Sequence, residues 1–469
     1  VTNIYDVLFL CLSIAFACYV KNGYQYRYSL PYPYDYFTIQ DIPEEYRDII
    51  DSITTPSANA VELYANEHNI DIHYMNHTNV NKLFVDEVVG TESVEFIETK
   101  TESKSKSESE SEAKLTMIDK YGYIHTAKKY SSISSDSYVL MNSSLYIGPG
   151  RSLGFRHVDV DTLIVCNSLM GLIQVNITGL DADADTDGRS VNVNVNNRIS
   201  ILSNSYMSQP LHYCNDIDID VDTDTDATTI YYSSSTANSA VVYDAKERYY
   251  DTLRGFLLVW TGGDVSGRVF SYNVNTHTTT LLVDNLYYAN GVVVAKDGSF
   301  LLIVDTVGLR VLKFHLRGER AGSLDVYIDH LPGFPDGITK SADGLSYYVS
   351  LVSPLTPFFT YGKSRAARYA IAWATAGPFA WVFSGLIKKF GCILHVVDNA
   401  GTGTGAGAGL GVVDEIHFDK RGSILSTISA VTPERNCLSG IWEEISCLYI
   451  HLYRYLVVFC NTYYLLCKY

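Results

Sequence analysis

The stretch "NGVVVAKDGSFLLIVDT" runs from Asn290 to Thr306, and "DGITKSADGLSYYVSL" runs from Asp336 to Leu351. Their first residues stand 46 positions apart. Each stretch reads as a polar residue, a short alternating run, a turn and an apolar run. In the second, Asp343-Gly344 sits between two strand-like runs, where Gly supplies the positive φ of a tight hairpin. Three further units share the pattern. They are "ESVEFIE" from Glu92, resuming as "LTMIDKYGYIHTA" from Leu115; "LGFRHVDVDTLIVCN" from Leu153; and "NDIDIDV…TIYYSSS" from Asn215 to Ser235. Asn215 precedes Asn290 by 75 residues that include an acidic insertion, and Glu92 precedes Asn215 by 123 residues that hold two units and two insertions. Blade-like β repeats run at roughly 40–50 residues. Helical repeats of that length are disfavoured because the units alternate with period two. Short antiparallel sheets repeated around an axis make an all-β propeller.

At 469 residues and with ordinary apolar content, the chain can bury a large core. Its net charge of −17 argues against nucleic acid as a partner, since phosphate binding needs a basic face. The 37 tyrosines suit a β-rich fold. The 9 cysteines include no CxxC pair, which speaks against a zinc site. Asn76, Asn142 and Asn176 begin glycosylation acceptor triplets. Val7–Val20 is an apolar run shorter than the roughly 20 residues of a full span, and it reads as a signal-peptide core or short anchor on the secretory route. Three segments read as insertions. Thr99–Lys114 is polar, charged and expected to be disordered; Asp181–Asn197 and Asp216–Asp226 alternate as repeat-expanded loops without completing a calcium-loop pattern.

In a propeller the innermost strand of each blade lines the central channel. Residues at matching places in the repeats therefore converge. Here those places hold Glu92, Asn215, Asn290 and Asp336. All four bring oxygen and none brings sulphur or imidazole. Two carboxylates with two amide carbonyls suit a hard cation such as calcium, which takes roughly 6–8 oxygens at roughly 2.3–2.6 Å. Zinc or copper would call for softer ligands. On this reading Asp336 is a ligand, and Gly333-Phe334-Pro335 is the bend that aims it. The plain alternative is that such Asn and Asp residues cap turns at strand starts.

The stretches "VGTESVEF" from Val89, "GRSLGFR" from Gly150, "CNDIDI" from Cys214, the run from Gly267 to Thr306, "LPGFPDGI" from Leu331 and "YYVSLVSP" from Tyr347 carry a family likeness. Through them the chain resembles the strictosidine synthase-like family, in its adipocyte plasma membrane-associated protein branch. The resemblance spans about Leu83 to Ile428. It implies a six-bladed β-propeller related to paraoxonases and gluconolactonases, with a calcium ion on the axis held at the four matched positions. It also implies a helical insertion at the rim of the channel mouth, here Arg368–Phe390, read as an apolar lid or membrane-contacting patch. The departures are specific. Gly337 stands where the family has Asn, and Ser234 stands where it has Asp. Ser439 stands where strictosidine synthase has its catalytic glutamate, and Glu443 and Glu444 lie too far along a strand to replace it.

The expected organisation is residues 1–25 as signal peptide or membrane anchor, 26–82 as an N-terminal extension, 83–450 as propeller and 451–469 as an atypical hydrophobic tail that leaves the last blade incomplete. The expected function is a calcium-dependent hydrolase of small esters or lactones, in which the cation polarises a carbonyl and a base activates water. No general base is identified; His212 lies near Asn215 but reads as a core or rim histidine. The alternative is a secreted or membrane-associated propeller that binds a ligand or partner without catalysis.

Overall fold

The structure, a computed structural model, describes residues 40–53, 59–75, 81–84, 87–100, 111–131, 136–180, 198–222, 227–238, 242–244, 248–355, 357–368, 371, 390–398, 410–421, 428–433, 455–459 and 465–467. They form an all-β propeller. Five sheets are four-stranded antiparallel meanders in which successive strands pair. Sheet A contains Val94–Lys100, Ser111–Ile118, Tyr123–Ser131 and Asp136–Tyr146. Sheet B contains Ser152–Asp159, Thr162–Asn167, Gly171–Asn176 and Ile199–Ser203. Sheet C contains Cys214–Val221, Thr228–Ser234, Gly267–Asn273 and Thr278–Leu286. Sheet D contains Ala289–Val294, Phe300–Asp305, Arg310–His315 and Leu324–Ile328. Sheet E contains Gly333–Lys340, Ser346–Pro354, Gly391–Asp398 and Gly411–Asp419, with Asp71–Tyr74 added in parallel to its outer strand.

A further sheet, F, draws on both ends of the chain. Ile428–Pro433, Tyr455–Phe459 and Leu465–Cys467 pair in turn, and Asn81–Leu83 adds the outer strand. The first strands of sheets A to F lie side by side in order, and Ile428–Pro433 also touches Val94–Lys100.

Burial explains the strand sequences. In sheet D the two inner strands, "ANGVVV" and "FLLIVD", are covered on both faces and almost wholly buried. The outer strand Leu324–Ile328 faces solvent on one side and begins with exposed and half-buried residues. The Asp343-Gly344 turn forms as the sequence predicts: Gly344 takes φ 73°, and Asp343 Oδ1 accepts the Leu345 N–H at 2.9 Å.

Two of the expected insertions are strands at their edges. Thr99 and Lys100 pair with Glu112 and Ser111, so the hairpin of sheet A continues into the polar tract, where backbone pairing does not depend on apolar side chains; residues 101–110 lie outside the described set. Asp216–Val221 belongs to the inner strand of sheet C, because its strict alternation of Asp with Ile or Val has the period of a strand. Residues 181–197 and 223–226 lie outside the described set.

Three helices cover the channel end at which the first strands begin or pack beside it. Helix α1 (Glu44–Ser52) follows Pro43 and opens with Glu44 and Glu45, which suit the positive helix start. Helix α2 (Ala60–His68) ends at Asn69 in the left-handed conformation, a common stop, and packs Val61 and Ala65 on the core of sheets D and E. Helix α3 (Thr252–Gly262) sits between the second and third strands of sheet C. Tyr46, Trp260, Tyr287, Tyr288, Phe334 and Phe359 share one apolar cluster at this end. No helix among the described residues is long and apolar enough to cross a membrane.

Candidate metal centre

The first strands of sheets B, C, D and E slip register at the same place. Ser152 pairs with Asn167 and the next pair is Phe155 with Val165; Cys214 with Ser234, then Ile217 with Tyr232. Ala289 pairs with Asp305, then Val292 with Ile303; Pro335 with Leu351, then Ile338 with Val349. Each slip is a β-bulge that sets two residues against one, and a bulge re-aims side chains. The bulged pairs are Leu153-Gly154, Asn215-Asp216, Asn290-Gly291 and Asp336-Gly337. Glu92 stands just ahead of the first strand of sheet A.

The four sequence-predicted residues come together. Glu92, Asn215, Asn290 and Asp336 line one small cavity of about 40 Å³, with Leu153, Arg156, Asp216, Thr339 and Val431 among its other walls. Asn215 Nδ2 donates to Ser235 Oγ at 2.8 Å, and Asn290 Nδ2 donates to Thr306 Oγ1 at 3.1 Å and to Asp336 Oδ1. Ser235 and Thr306 each lie just past the second strand of their own sheet, so the two amides are held from equivalent points. Both amide nitrogens are thus engaged as donors. Arg151 donates to Glu92 Oε1 at 2.8 Å and to the Gly90 carbonyl at 2.5 Å, which fixes the carboxylate at the rim. Thr252 of α3 reaches the same oxygen at 3.3 Å.

Glycine at the second bulge position lets neighbouring inner strands approach. A Cβ on Gly291 would sit 2.6 Å from Ile338 N and 2.8 Å from the Asp336 carbonyl oxygen, and one on Gly154 would sit 2.6 Å from Asp216 Cα. In sheet C that position carries Asp216 instead. The Asp216 N–H donates to Ser233 Oγ at 3.1 Å, as Gly337 N–H does to Ser350 Oγ at 3.0 Å.

Asp216, Asp218, Arg156 and Lys340 form a charged wall that the sequence reading missed. Asp218 meets Lys340 Nζ at 2.8 Å and Arg156 Nε at 3.5 Å, and it accepts the Val294 N–H at 2.9 Å. Asp216 accepts the Val292 N–H at 3.1 Å. Burial raises the Asp216 carboxyl to about 6, against the opposing pull of Arg156 and the Val292 N–H. Burial also works to raise Asp218, but Lys340 and Arg156 outweigh it and hold the group below its ordinary value. The signal was present in the alternation of "DIDID", which reads as low complexity unless the strand is already placed on the channel.

These charges test whether a cation fits. The charged side chains that line the cavity are the carboxylates of Glu92, Asp216 and Asp336 and the guanidinium of Arg156. Three against one leaves a surplus of two negative charges when all are ionised, which one divalent cation would neutralise. No group of three or more His, Cys, Asp or Glu side chains placed to hold a metal ion occurs among the described residues; Glu92, Asn215, Asn290 and Asp336 line the cavity with two carboxylates and two amides, oxygen donors of the type a hard cation takes.

Among the described residues no histidine lines the cavity. The His212 carbonyl accepts from Ser234 Oγ at 2.6 Å, and burial with nearby Arg268 lowers the His212 imidazole from its ordinary value. Ser234, where the resembled family has Asp, is thus a buried strut. A hydroxyl–imidazole–carboxylate chain does exist in sheet E: His395 Nε2 lies 2.8 Å from Ser346 Oγ, and His395 Nδ1 lies 2.7 Å from Asp414 Oδ1. Ser346 begins the second strand, at the end away from the channel mouth, and is buried, so this chain ties strands together. Asn142 and Asn176 are exposed on strands of sheets A and B. Asn76, Val7–Val20, Ser439, Glu443, Glu444 and nearly all of the rim insertion (residues 369–370 and 372–389) lie outside the described residues.

The comparisons agree with the resemblance. Residues 217–319 match the protein-family model described as Strictosidine synthase. The chain is 29% identical over 207 residues to adipocyte plasma membrane-associated protein of Salmo salar, covering 43% of this chain and 41% of that one. It is 39% identical over 80 residues to adipocyte plasma membrane-associated protein Hemomucin of Drosophila melanogaster, covering 17% and 14%. It is 41% identical over 103 residues to strictosidine synthase-like protein 3 of Arabidopsis thaliana, covering 22% and 26%. These matches span less than half the length of those relatives. Among solved structures, a gluconolactonase from Xanthomonas campestris superposes with a TM-score of 0.38 at 12% identity, covering 75% of this chain and 81% of that one. A calcium-binding regucalcin from Agrobacterium tumefaciens gives 0.33 at 11%, covering 60% and 72%.

Proposed function

We propose that this chain is a six-bladed propeller that holds a calcium ion at Glu92, Asn215, Asn290 and Asp336 and hydrolyses small esters or lactones at the mouth of its channel. Sheet F is the sixth blade in this reading, with Asn81–Leu83 from the beginning of the chain completing it. One observation carries the proposal: residues from four sheets, far apart in sequence, present two carboxylates and two amides to one cavity. When bound, the cation supplies Lewis-acid polarisation of a substrate carbonyl. The chain's own residues orient the donors: Ser235 and Thr306 hold the amides, Arg151 holds Glu92, and the bulges aim all but Glu92 inward.

The test uses the full chain. Phenyl acetate and lactone turnover are measured with calcium and with a chelator, beside terbium luminescence as a direct readout of cation binding. Chelator-sensitive turnover and terbium binding that both disappear in Asn290→Ala support the proposal. Absence of terbium binding overturns the cation site. A second reading, cation binding without catalysis, is favoured by Gly337 in place of the family's Asn. Terbium binding without turnover on either substrate class decides for it.

The secretory route is part of the same reading. A buried disulfide between Cys166 and Cys214 suits an oxidising compartment, and Asn142 and Asn176 are accessible for glycosylation. The names of the relatives support association with the plasma membrane. A glycosidase-induced mass shift in protein from secreting cells, lost when Asn76, Asn142 and Asn176 are all replaced by Gln, tests it; protein of unmodified mass at all three acceptor sites would contradict it.

A further inference from the structure

The Cys166–Cys214 disulfide joins sheets B and C, with Cα atoms 4.9 Å apart. Its place in the bulge pattern is specific. Cys166 is the residue of sheet B that faces the Leu153-Gly154 bulge, the position held by Ser233 in sheet C and Ser350 in sheet E. Cys214 is the last laddered residue before the Asn215-Asp216 bulge. Cys166 Sγ also lies 3.6 Å from the Asp216 carbonyl oxygen. Both cysteines are fully buried.

A bulge leaves its residues without regular ladder bonds, so their direction depends on what holds the flanks. For Asp336 the preceding residue is Pro335, whose ring fixes its own φ. For Asn215 the preceding residue is a cysteine covalently tied to the neighbouring sheet. We propose that the Cys166–Cys214 bridge positions Asn215 in the cation site, so that cation affinity depends on the oxidation state of this pair. This rests on the cation reading above. Cys166 and Cys214 are positioning residues: neither sulphur offers itself to the cavity, and they act through the backbone of Asn215 and Asp216. Opening the bridge with a dithiol breaks one S–S bond, gives the pair two electrons and two protons, and oxidises the dithiol to its cyclic disulfide.

The experiment compares bridged and unbridged full-length protein by terbium and calcium titration. Non-reducing peptide mapping first verifies the bridge. The unbridged forms are the Cys166→Ala/Cys214→Ala variant and wild-type protein opened with dithiothreitol, so a variant that fails to fold does not end the test. Circular dichroism and cation-free melting check that each form is folded. Supporting residues around a metal typically change its affinity by about 10–100-fold, and a loss of that size is expected here while the cation-free protein still melts cooperatively. Equal affinity in bridged and unbridged protein overturns the proposal and leaves the cation reading intact. A bridged protein that binds no cation overturns both, and a peptide map showing two free thiols in secreted protein overturns the positioning role alone.

Discussion

Asn215 and Asn290 are held by equivalent hydroxyls, Ser235 and Thr306, each one step past the second strand of its sheet. The repeat therefore reproduces not only the donor but the group that orients it. Leu153 occupies the same bulge position in sheet B, so there that sheet contributes an apolar wall and no side-chain oxygen. Beside the donors, Gly291 is required by the close approach of the next inner strand. The Gly291→Ala Cβ would press on main-chain atoms of Asp336 and Ile338, which cannot rotate away. Overpacking of this kind costs about 1–3 kcal/mol. Urea unfolding of Gly291→Ala is expected to show a loss of that order together with weaker terbium binding. Unchanged unfolding would mean that the two strands are not so close.

At the scale of elements, α1 is fastened to sheet D by one buried side chain. Tyr46 Oη donates to Asp305 Oδ2 at 2.8 Å, accepts the Tyr287 N–H at 3.0 Å and meets Arg310 at 3.2 Å. Removing that hydroxyl leaves buried partners short of a bond, which costs about 1–3 kcal/mol. Tyr46→Phe is therefore expected to lower the urea midpoint and to raise hydrogen exchange in α1 first. The strand Asp71–Tyr74 has a different sensitivity. Its His73 stacks on His417 of sheet E at 5.2 Å, with Glu415 at 3.5 Å from His417 and His395 nearby. Burial holds the His417 imidazole below its ordinary value, although Glu415 opposes this. A lowered value means that the folded state binds the proton less readily than the unfolded chain. The stability contribution is thus complete above the unfolded value of about 6.5 and is lost as the pH falls through the folded one. Unfolding free energy is expected to drop between pH 7.5 and pH 5, with a smaller drop in His417→Gln; identical pH slopes would remove His417 as the cause.

Over the whole molecule, stability depends on contacts between residues far apart in the chain. The Cys166–Cys214 link closes a span of 48 residues, and constraining such a loop in the unfolded chain is worth about 4 kcal/mol in the chain-entropy account. Sheet F joins residues 81–83 to residues 465–467 across nearly the whole sequence. Ending the chain after Pro433 removes two of its four strands and leaves the edges of Ile428–Pro433 and Asn81–Leu83 unpaired. Calorimetry of that truncation is expected to show a broadened transition at lower temperature, and limited proteolysis is expected to begin near residue 81. A sharp transition at the full-length temperature would show that sheet F carries little of the fold. Chelation is expected to lower the melting temperature of the full chain and to leave Asn290→Ala unmoved.

The amino-acid sequence alone carried the period-two repeat, the propeller architecture and the places of Glu92, Asn215, Asn290 and Asp336, because strand alternation and turn chemistry are local and recur at a regular spacing. It also carried the Asp343-Gly344 hairpin, which depends on adjacent residues. Tertiary structure decided the rest. The bulges depend on the pairing register of two strands, and the Arg156–Asp216–Asp218–Lys340 wall, the Tyr46–Asp305 fastening and the pairing of Cys166 with Cys214 each join residues from different sheets or from a helix and a sheet. "DIDID" reads as a repetitive loop until the strand is seen to face the channel. Whether a charged side chain becomes buried, paired or available to a cation depends on which distant strand packs beside it, and spacing along one chain does not encode that neighbour.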